Sequence, residues 1–222
     1  MGQYTDILIY SMDLLKLIDS LFAILFPPRC LICRKTGDEA LCPNCISKIK
    51  RIPCQNDEAR SVGVYEGVLR TAIKKLKFKS KKKLARPLAF LLVEYLNNWA
   101  PSETIDYIVS VPLSKKRLRS RGFNQVDLLA DVVSGELNIP FASDLLLRTK
   151  ETKPQFELKR EERFKNLKGA FEVSNTGNVK GKNILLLDDI LTTGSTVSEC
   201  AKVLKEAGAS KICVLTLARA IE

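Results

Sequence analysis

ILLLDDILTTGSTVSECAKVLKEAGA, residues 184–209, runs four apolar residues straight into Asp188 and Asp189. A short Thr/Gly/Ser segment follows, then an amphipathic run closed by Gly208. The apolar run has strand length, and the spacing from Ser195 to Ala207 predicts a helix. The segment between them therefore meets a helix N-terminus, where backbone N–H groups lack partners and the dipole favours an anion. Thr192, Thr193, Ser195 and Thr196 add hydroxyl donors, and Gly194 lets the backbone come close to a ligand. That combination makes a cup for phosphate. The adjacent carboxylates would repel phosphate and need another partner. The vicinal hydroxyls of a ribose, which donate to carboxylates, are suitable partners, and a divalent cation would help screen the charge. The stretch reads as one sugar-phosphate site, with the acids for the 2′ and 3′ hydroxyls and the loop for the 5′-phosphate. The plainer alternative is a strand–turn–helix junction capped by Asp and Thr. A Walker loop is excluded because no lysine follows Gly194, and a dinucleotide fingerprint because only one glycine is present.

Outward from this stretch, strands and helices alternate. VGVYEG (62–67), YIVSVP (107–112) and KICVLTLA (211–218) read as strands, and SDLLLRTK (143–150) as a further candidate. Residues 68–78, 83–99 and 122–137 have helical apolar faces. Residues 149–169 are polar and nearly without apolar periodicity, which predicts a mobile loop and then a short helix. This order implies an α/β fold, a mostly parallel sheet with helices on both faces. Ligands bind such sheets at the carboxyl ends of the strands. Asp188, Asp189 and the turn after Val111 all belong there.

The 222-residue chain has a net charge of +11, which favours polyanionic partners. It has no histidine, so His-based triads, His metal ligands and His general acids are excluded. Cys30-x2-Cys33 and Cys42-x2-Cys45 have zinc-ligand spacing, and no other core is evident nearby. A structural Zn2+ is expected, in a compact treble-turn or knuckle because the gap between the pairs is short. A redox pair is the alternative. The odd count of seven cysteines argues for a reducing, cytoplasmic setting rather than a disulfide framework. Cys54 reads as a free thiol, Cys200 and Cys213 as core residues. The domains expected are an N-terminal amphipathic helix at 1–26, the zinc module at 27–55 and the α/β domain at 56–222. In the N-terminal run, Asp13, Lys16 and Asp19 leave no apolar stretch of membrane-spanning length. Leu14, Leu17, Ile18, Leu21 and Leu25 form a face that packs on the protein itself or, alternatively, on a membrane surface or partner.

From Gly67 to Val93 there is no acidic residue. Lys74, Lys75, Lys77, Lys79, Lys81, Lys82 and Lys83, with Arg70 and Arg86, surround Phe78, a possible stacking platform. The run reads as a contact for single-stranded nucleic acid. A solvated surface or an acidic lipid contact are the alternatives.

The stretch 184–209, together with VPLSKKRLRSRGFNQ (111–125), the segment Gln155…Arg163…Asn166 and GAF (169–171), resembles the type I phosphoribosyltransferases. With the cysteine module it is similar to the competence protein F (ComF) family, bacterial proteins linked to DNA uptake in natural transformation. The resemblance implies a type I phosphoribosyltransferase fold whose pocket takes phosphoribosyl pyrophosphate (PRPP) with Mg2+. It implies a pyrophosphate loop after Val111, with Ser114, Lys115, Lys116, Arg117, Arg119 and Arg121 as candidates. It also implies a flexible loop over 149–169 that brings Lys150, Arg160 and Arg163 to the leaving pyrophosphate. Single-stranded DNA and competence-machinery proteins, including a helicase-type partner, are the implied partners. Thr192 stands where transferases of the hypoxanthine type carry a base-assisting acid, so an acceptor must ionise unaided or no transfer occurs. No N-terminal cysteine nucleophile is present, which argues against ammonia transfer from glutamine. The second implied reading is a non-catalytic DNA-binding factor that uses the pocket as a sensor or strand-end site.

Overall fold

The computed structural model describes residues 27–54, 59–99, 104–151 and 160–221. The N-terminal run expected to form an amphipathic helix lies outside them. In chain order the elements are α1 (Pro43–Ile46), β1 (Ala59–Val64), α2 (Gly67–Leu76), a 3₁₀ helix (Lys79–Leu84) and α3 (Ala85–Trp99). Then come β2 (Tyr107–Ser110), α4 (Lys115–Arg121), α5 (Gln125–Leu137), β3 (Leu146–Arg148), α6 (Arg160–Leu167) and β4 (Phe171–Val173). The chain closes with β5 (Asn183–Leu191), α7 (Ser195–Glu206) and β6 (Lys211–Arg219).

Four strands form a parallel sheet in the order β1-β6-β5-β2. β5 lies inside it, which explains why residues 184–187 are apolar without alternation: both faces are covered. Leu185 and Leu187 enter one core with α2, α3 and α5, while Ile184 and Leu186 enter another with α7. The candidate strand at 143–150 forms outside this sheet. β3 pairs antiparallel with β4, and Thr149 N–H donates to Ala170 O at 3.0 Å.

The cysteine module is welded to the α/β domain. Cys30, Leu41, Cys45 and Ile49 pack in the same core as α2 and α3. The chain leaving the module runs antiparallel along β1, with Ile52 N–H to Val62 O at 3.0 Å and Val64 N–H to Lys50 O at 2.9 Å. These bonds cover the outer edge of the sheet, which would otherwise expose unpaired backbone groups. Gly63 allows the approach, since a Cβ there would stand 2.8 Å from Lys50 O. Lys75 Nζ donates to Leu31 O at 2.5 Å, and Arg51 pairs with Glu94 at 2.9 Å.

Because all four strands are parallel, their carboxyl ends share one edge. There β5 delivers Asp188 and Asp189 next to the segment that follows β2. No helix among the described residues is long and apolar enough to cross a membrane.

Candidate functional site

The Asp pair lies near the carboxyl end of β5, just before Ile190 and Leu191, and Asp188 is in register with Thr216 of β6. Asp189 N–H donates to Asp188 Oδ1 at 2.8 Å. After the strand, Gly194 adopts φ +78°, a left-handed conformation that any Cβ would strain, and turns the chain into α7. The N-cap Gly194 offers no side-chain cap to α7, and a helix start of this kind favours an anion. Both features open on a cavity of about 300 Å³. Thr192, Gly194 and Thr196 line it. Thr193 and Ser195 do not; their hydroxyls pair with each other at 3.1 Å, and Ser195 is buried.

The basic segment after Val111 corrects the expectation of a loop. It is the helix α4, because Ser114 caps it by accepting from Arg117 N–H and Gly122 closes it with φ +78°. A helix sorts its side chains by face. Arg117 and Arg121, four apart, line the cavity. Lys115, Lys116 and Arg119 border a separate shallow hollow with Glu151, and Ser114 is spent on the cap. Glu151 accepts from Lys116 N–H at 2.8 Å, and that bond holds its carboxyl below the usual range.

Sequence reasoning gave no cavity role to Gln125 or Arg148, and assigned Lys77 to the nucleic-acid run instead. Gln125, buried at the start of α5, donates from Nε2 to Asp189 Oδ2 at 2.9 Å and accepts at Oε1 from Arg121. Lys77 places Nζ 3.4 Å from the same Asp189 Oδ2. Arg148, on β3, is the third. Gln125 belongs to the stretch that carries the family resemblance, but its role depends on meeting a residue 64 positions away. Its position is set by Asn124, which caps α5 through Val126 N–H and donates from Nδ2 to Val111 O at 3.2 Å. Asn124 and Ser110 both donate to Asp127 Oδ1 at 2.6 Å.

Burial, and then the neighbouring Asp189 charge, push the Asp188 carboxyl well above its ordinary range. Burial lowers Arg121 and Arg148; the Asp189 charge opposes this at Arg121, while Arg117 adds to it at Arg148. The pair thus offers oxygen acceptors beside guanidinium donors, an arrangement that can hold adjacent hydroxyls at one end and phosphate groups at the other.

The other candidates are dispersed. Lys150 is exposed beside Gly169, outside the cavity lining. Arg160 and Arg163 fall on α6, and Gln155 lies outside the described residues. The lysine run does not form one surface. Lys74 and Lys75 end α2, where Lys75 grips the cysteine module. Lys77 turns into the cavity, Lys79 lies against Gly122, and Lys82 sits 4.5 Å over the Phe123 ring. Lys83 borders a groove between the cysteine module and α3. Phe78 is 66% exposed, with Lys79 and Lys81 beside it.

The four cysteine sulfurs lie within 4.8 Å of one another, with Cys30 to Cys45 at 3.8 Å and Cys33 to Cys42 at 3.6 Å. A tetrahedral zinc with Zn–S bonds of about 2.3 Å sets its sulfurs about 3.8 Å apart, so the donor set fits that ion. Burial would raise the Cys30 thiol, but N–H groups of Cys42, Cys33 and Ile32 outweigh it and hold the pKa at about 6. Cys45 is pushed up to about 12 by burial and by the neighbouring sulfurs. A metal relieves that conflict by binding all four as thiolates.

Comparison with known proteins bears on both the α/β domain and the cysteine module. Residues 127–222 match the phosphoribosyl transferase domain model, and residues 21–56 match the double zinc ribbon domain model. The module is thus a zinc ribbon rather than the compact treble-turn or knuckle that its short spacing implied. The DNA utilization protein YhgH of Escherichia coli K12 is 34% identical over 207 residues, 86% of this chain and 90% of that protein. Competence protein F of Haemophilus influenzae is 32% identical, across 86% of this chain and 97% of that protein. The chain belongs to the competence protein F family. Another relative, competence protein ComFC of Streptococcus pneumoniae, is 30% identical over 83% of both chains. A more distant likeness is the glutamine PRPP amidotransferase of B. subtilis, at 19% identity and a TM-score of 0.38 over 68% of this chain and 26% of that one. The family's fold here is a type I phosphoribosyltransferase domain preceded by a zinc ribbon.

Proposed function

We propose that the cavity at the end of β5 binds PRPP with Mg2+, in a cytoplasmic protein that serves DNA uptake. The observation that carries this reading is the placement of Asp188 and Asp189 in one cavity with the Gly194-started N-terminus of α7. The carboxylates receive the ribose hydroxyls, Thr192, Thr196 and the α7 amides the 5′-phosphate, and Arg117 and Arg121 the diphosphate. Mg2+ supplies further charge neutralisation of the diphosphate when bound. The DNA role rests on the relatives' names, competence protein F and DNA utilization protein. Calorimetry of PRPP with Mg2+ should show stoichiometric binding, and PRPP consumption should be followed with and without DNA or free bases. Binding without consumption under every condition supports the sensor reading; consumption with a free base identifies a transferase. No binding at all excludes the pocket.

The exposed ring of Phe78 beside Lys79 and Lys81 favours a second role, contact with single-stranded DNA. Affinity should fall with salt, at about −0.7 in log K against log salt per contacted phosphate. Replacing Lys79, Lys81, Lys82 and Lys83 by Gln should flatten that slope. Phe78→Ala should cost roughly 1–3 kcal/mol and leave the slope alone. An unchanged slope in the quadruple variant moves the DNA contact to the outer face of α4, at Lys115, Lys116 and Arg119.

A further inference from the structure

We infer that Lys77 is a built-in counter-ion of the sugar site, one that lets the cavity capture a phosphorylated ribose without a divalent metal. The inference rests on the pocket assignment above and goes beyond it in naming a metal-free ligand class, the 5-phosphoribosyl group without diphosphate. Lys77 stands just after α2, at the entry to the lysine-rich 3₁₀ helix, and yet it points inward. Its Nζ lies 3.4 Å from Asp189 Oδ2, the oxygen that also accepts from Gln125 Nε2 at 2.9 Å. One Asp189 oxygen is therefore held by an ammonium and an amide together.

The charge balance of the wall supports the same conclusion. Among the described residues lining the cavity, Lys77, Arg117, Arg121 and Arg148 stand against Asp188 and Asp189. Four cations against two carboxylates leave the cavity positive before any metal enters. Without Lys77, the carboxylates would lose the ammonium in contact with Asp189, and the cations left in the wall would be the guanidiniums of Arg117, Arg121 and Arg148. In a poorly solvated site such a charge acts with little screening. A ligand with one phosphate then needs no Mg2+, whereas the diphosphate of PRPP still gains from it.

The probe is ribose 5-phosphate, titrated by calorimetry in EDTA and again in Mg2+, against the wild type, Lys77→Gln and Lys77→Arg. The wild type should bind in EDTA within about threefold of its affinity in Mg2+. Lys77→Gln should lose at least about tenfold in EDTA and recover part of it in Mg2+. Lys77→Arg should retain most of the metal-free affinity. Melting temperatures verify that the variants fold, as expected for a side chain that stays partly exposed. Equal affinity of Lys77→Gln and wild type in EDTA overturns the inference. Tighter binding by Lys77→Gln also overturns it, since Lys77 would then be a plug that the ligand must displace. Wild type that binds PRPP in Mg2+ but no ribose 5-phosphate in EDTA refutes the counter-ion alone. Wild type that binds neither ligand even in Mg2+ refutes the pocket itself.

Discussion

The double substitution Asp188→Asn, Asp189→Asn is expected to abolish PRPP binding while making the folded protein more stable at neutral pH. Each carboxylate contributes a charge-assisted hydrogen bond of about 1.5–3 kcal/mol. Loss of both weakens Kd by roughly 10²–10⁴. The stability effect has the opposite sign. Burial and the adjacent Asp189 raise the Asp188 carboxyl above the value of about 3.9 that it has in the unfolded chain. The folded state therefore holds its proton more tightly than the unfolded state. That contribution is fully present below the unfolded pKa and is lost as pH rises through the raised folded value. At neutral pH the buried Asp188 carboxyl costs stability, and Asn removes the cost. The variant's melting temperature should exceed that of the wild type at pH 7, and the gap should close as pH falls toward 4. A variant that melts lower at pH 7 would show that the pair is a structural element of the strand end. One that keeps its PRPP affinity would remove the acids from the ribose site.

Removal of zinc is expected to have the other large effect, and one that reaches beyond the ribbon. Structural zinc in small modules supplies roughly 10–16 kcal/mol of apparent binding free energy, comparable to the whole stability of an ordinary domain. Spacing alone leads one to expect a ribbon that unfolds by itself and leaves the sheet intact. The shared core of Cys30, Leu41, Cys45 and Ile49 with α2 and α3 leads elsewhere. So does the backbone pairing of residues 50–52 along β1. Cys30→Ser, or exhaustive chelation, should lower the melting temperature of the entire chain. Hydrogen exchange should show protection lost first in β1 and α2 and last in β2 and β5. Metal analysis of chelator-free protein should return one zinc per chain. If zinc is absent there, the ribbon holds no metal; if β1 stays protected in Cys30→Ser, the ribbon is an independent unit.

Local chemistry made much of this legible from the chain alone. Residues 184–187 announce a buried strand because four consecutive apolar residues need cover on both faces. Asp188, Asp189 and the Gly194 turn announce a candidate ligand site because acids and a glycine-started helix at a strand end are suited to a polar ligand. Two C-x-x-C pairs announce a zinc site because thiolates at that spacing converge on a tetrahedron. In each case the interacting groups lie within a short segment, and the sequence itself determines their geometry.

Whatever depends on direction in space was decided by tertiary structure. The five basic residues from Lys115 to Arg121 read as one loop, but the Ser114 cap winds them into a helix, and only Arg117 and Arg121 face the cavity. The lysine run reads as one surface, yet Lys75 grips the ribbon and Lys77 enters the pocket. Long cationic side chains reach whichever acceptor the fold brings near, and composition carries no record of it. Gln125 meets Asp189, and Lys50 meets the bare Cα of Gly63, only because parallel strands and a covered sheet edge bring distant segments together. The sequence by itself determined which chemical groups the protein possesses and the strand–turn–helix that carries the acids. The fold decided which of its many cations share that cavity, because a helix and a sheet edge each offer two faces and only packing chooses between them.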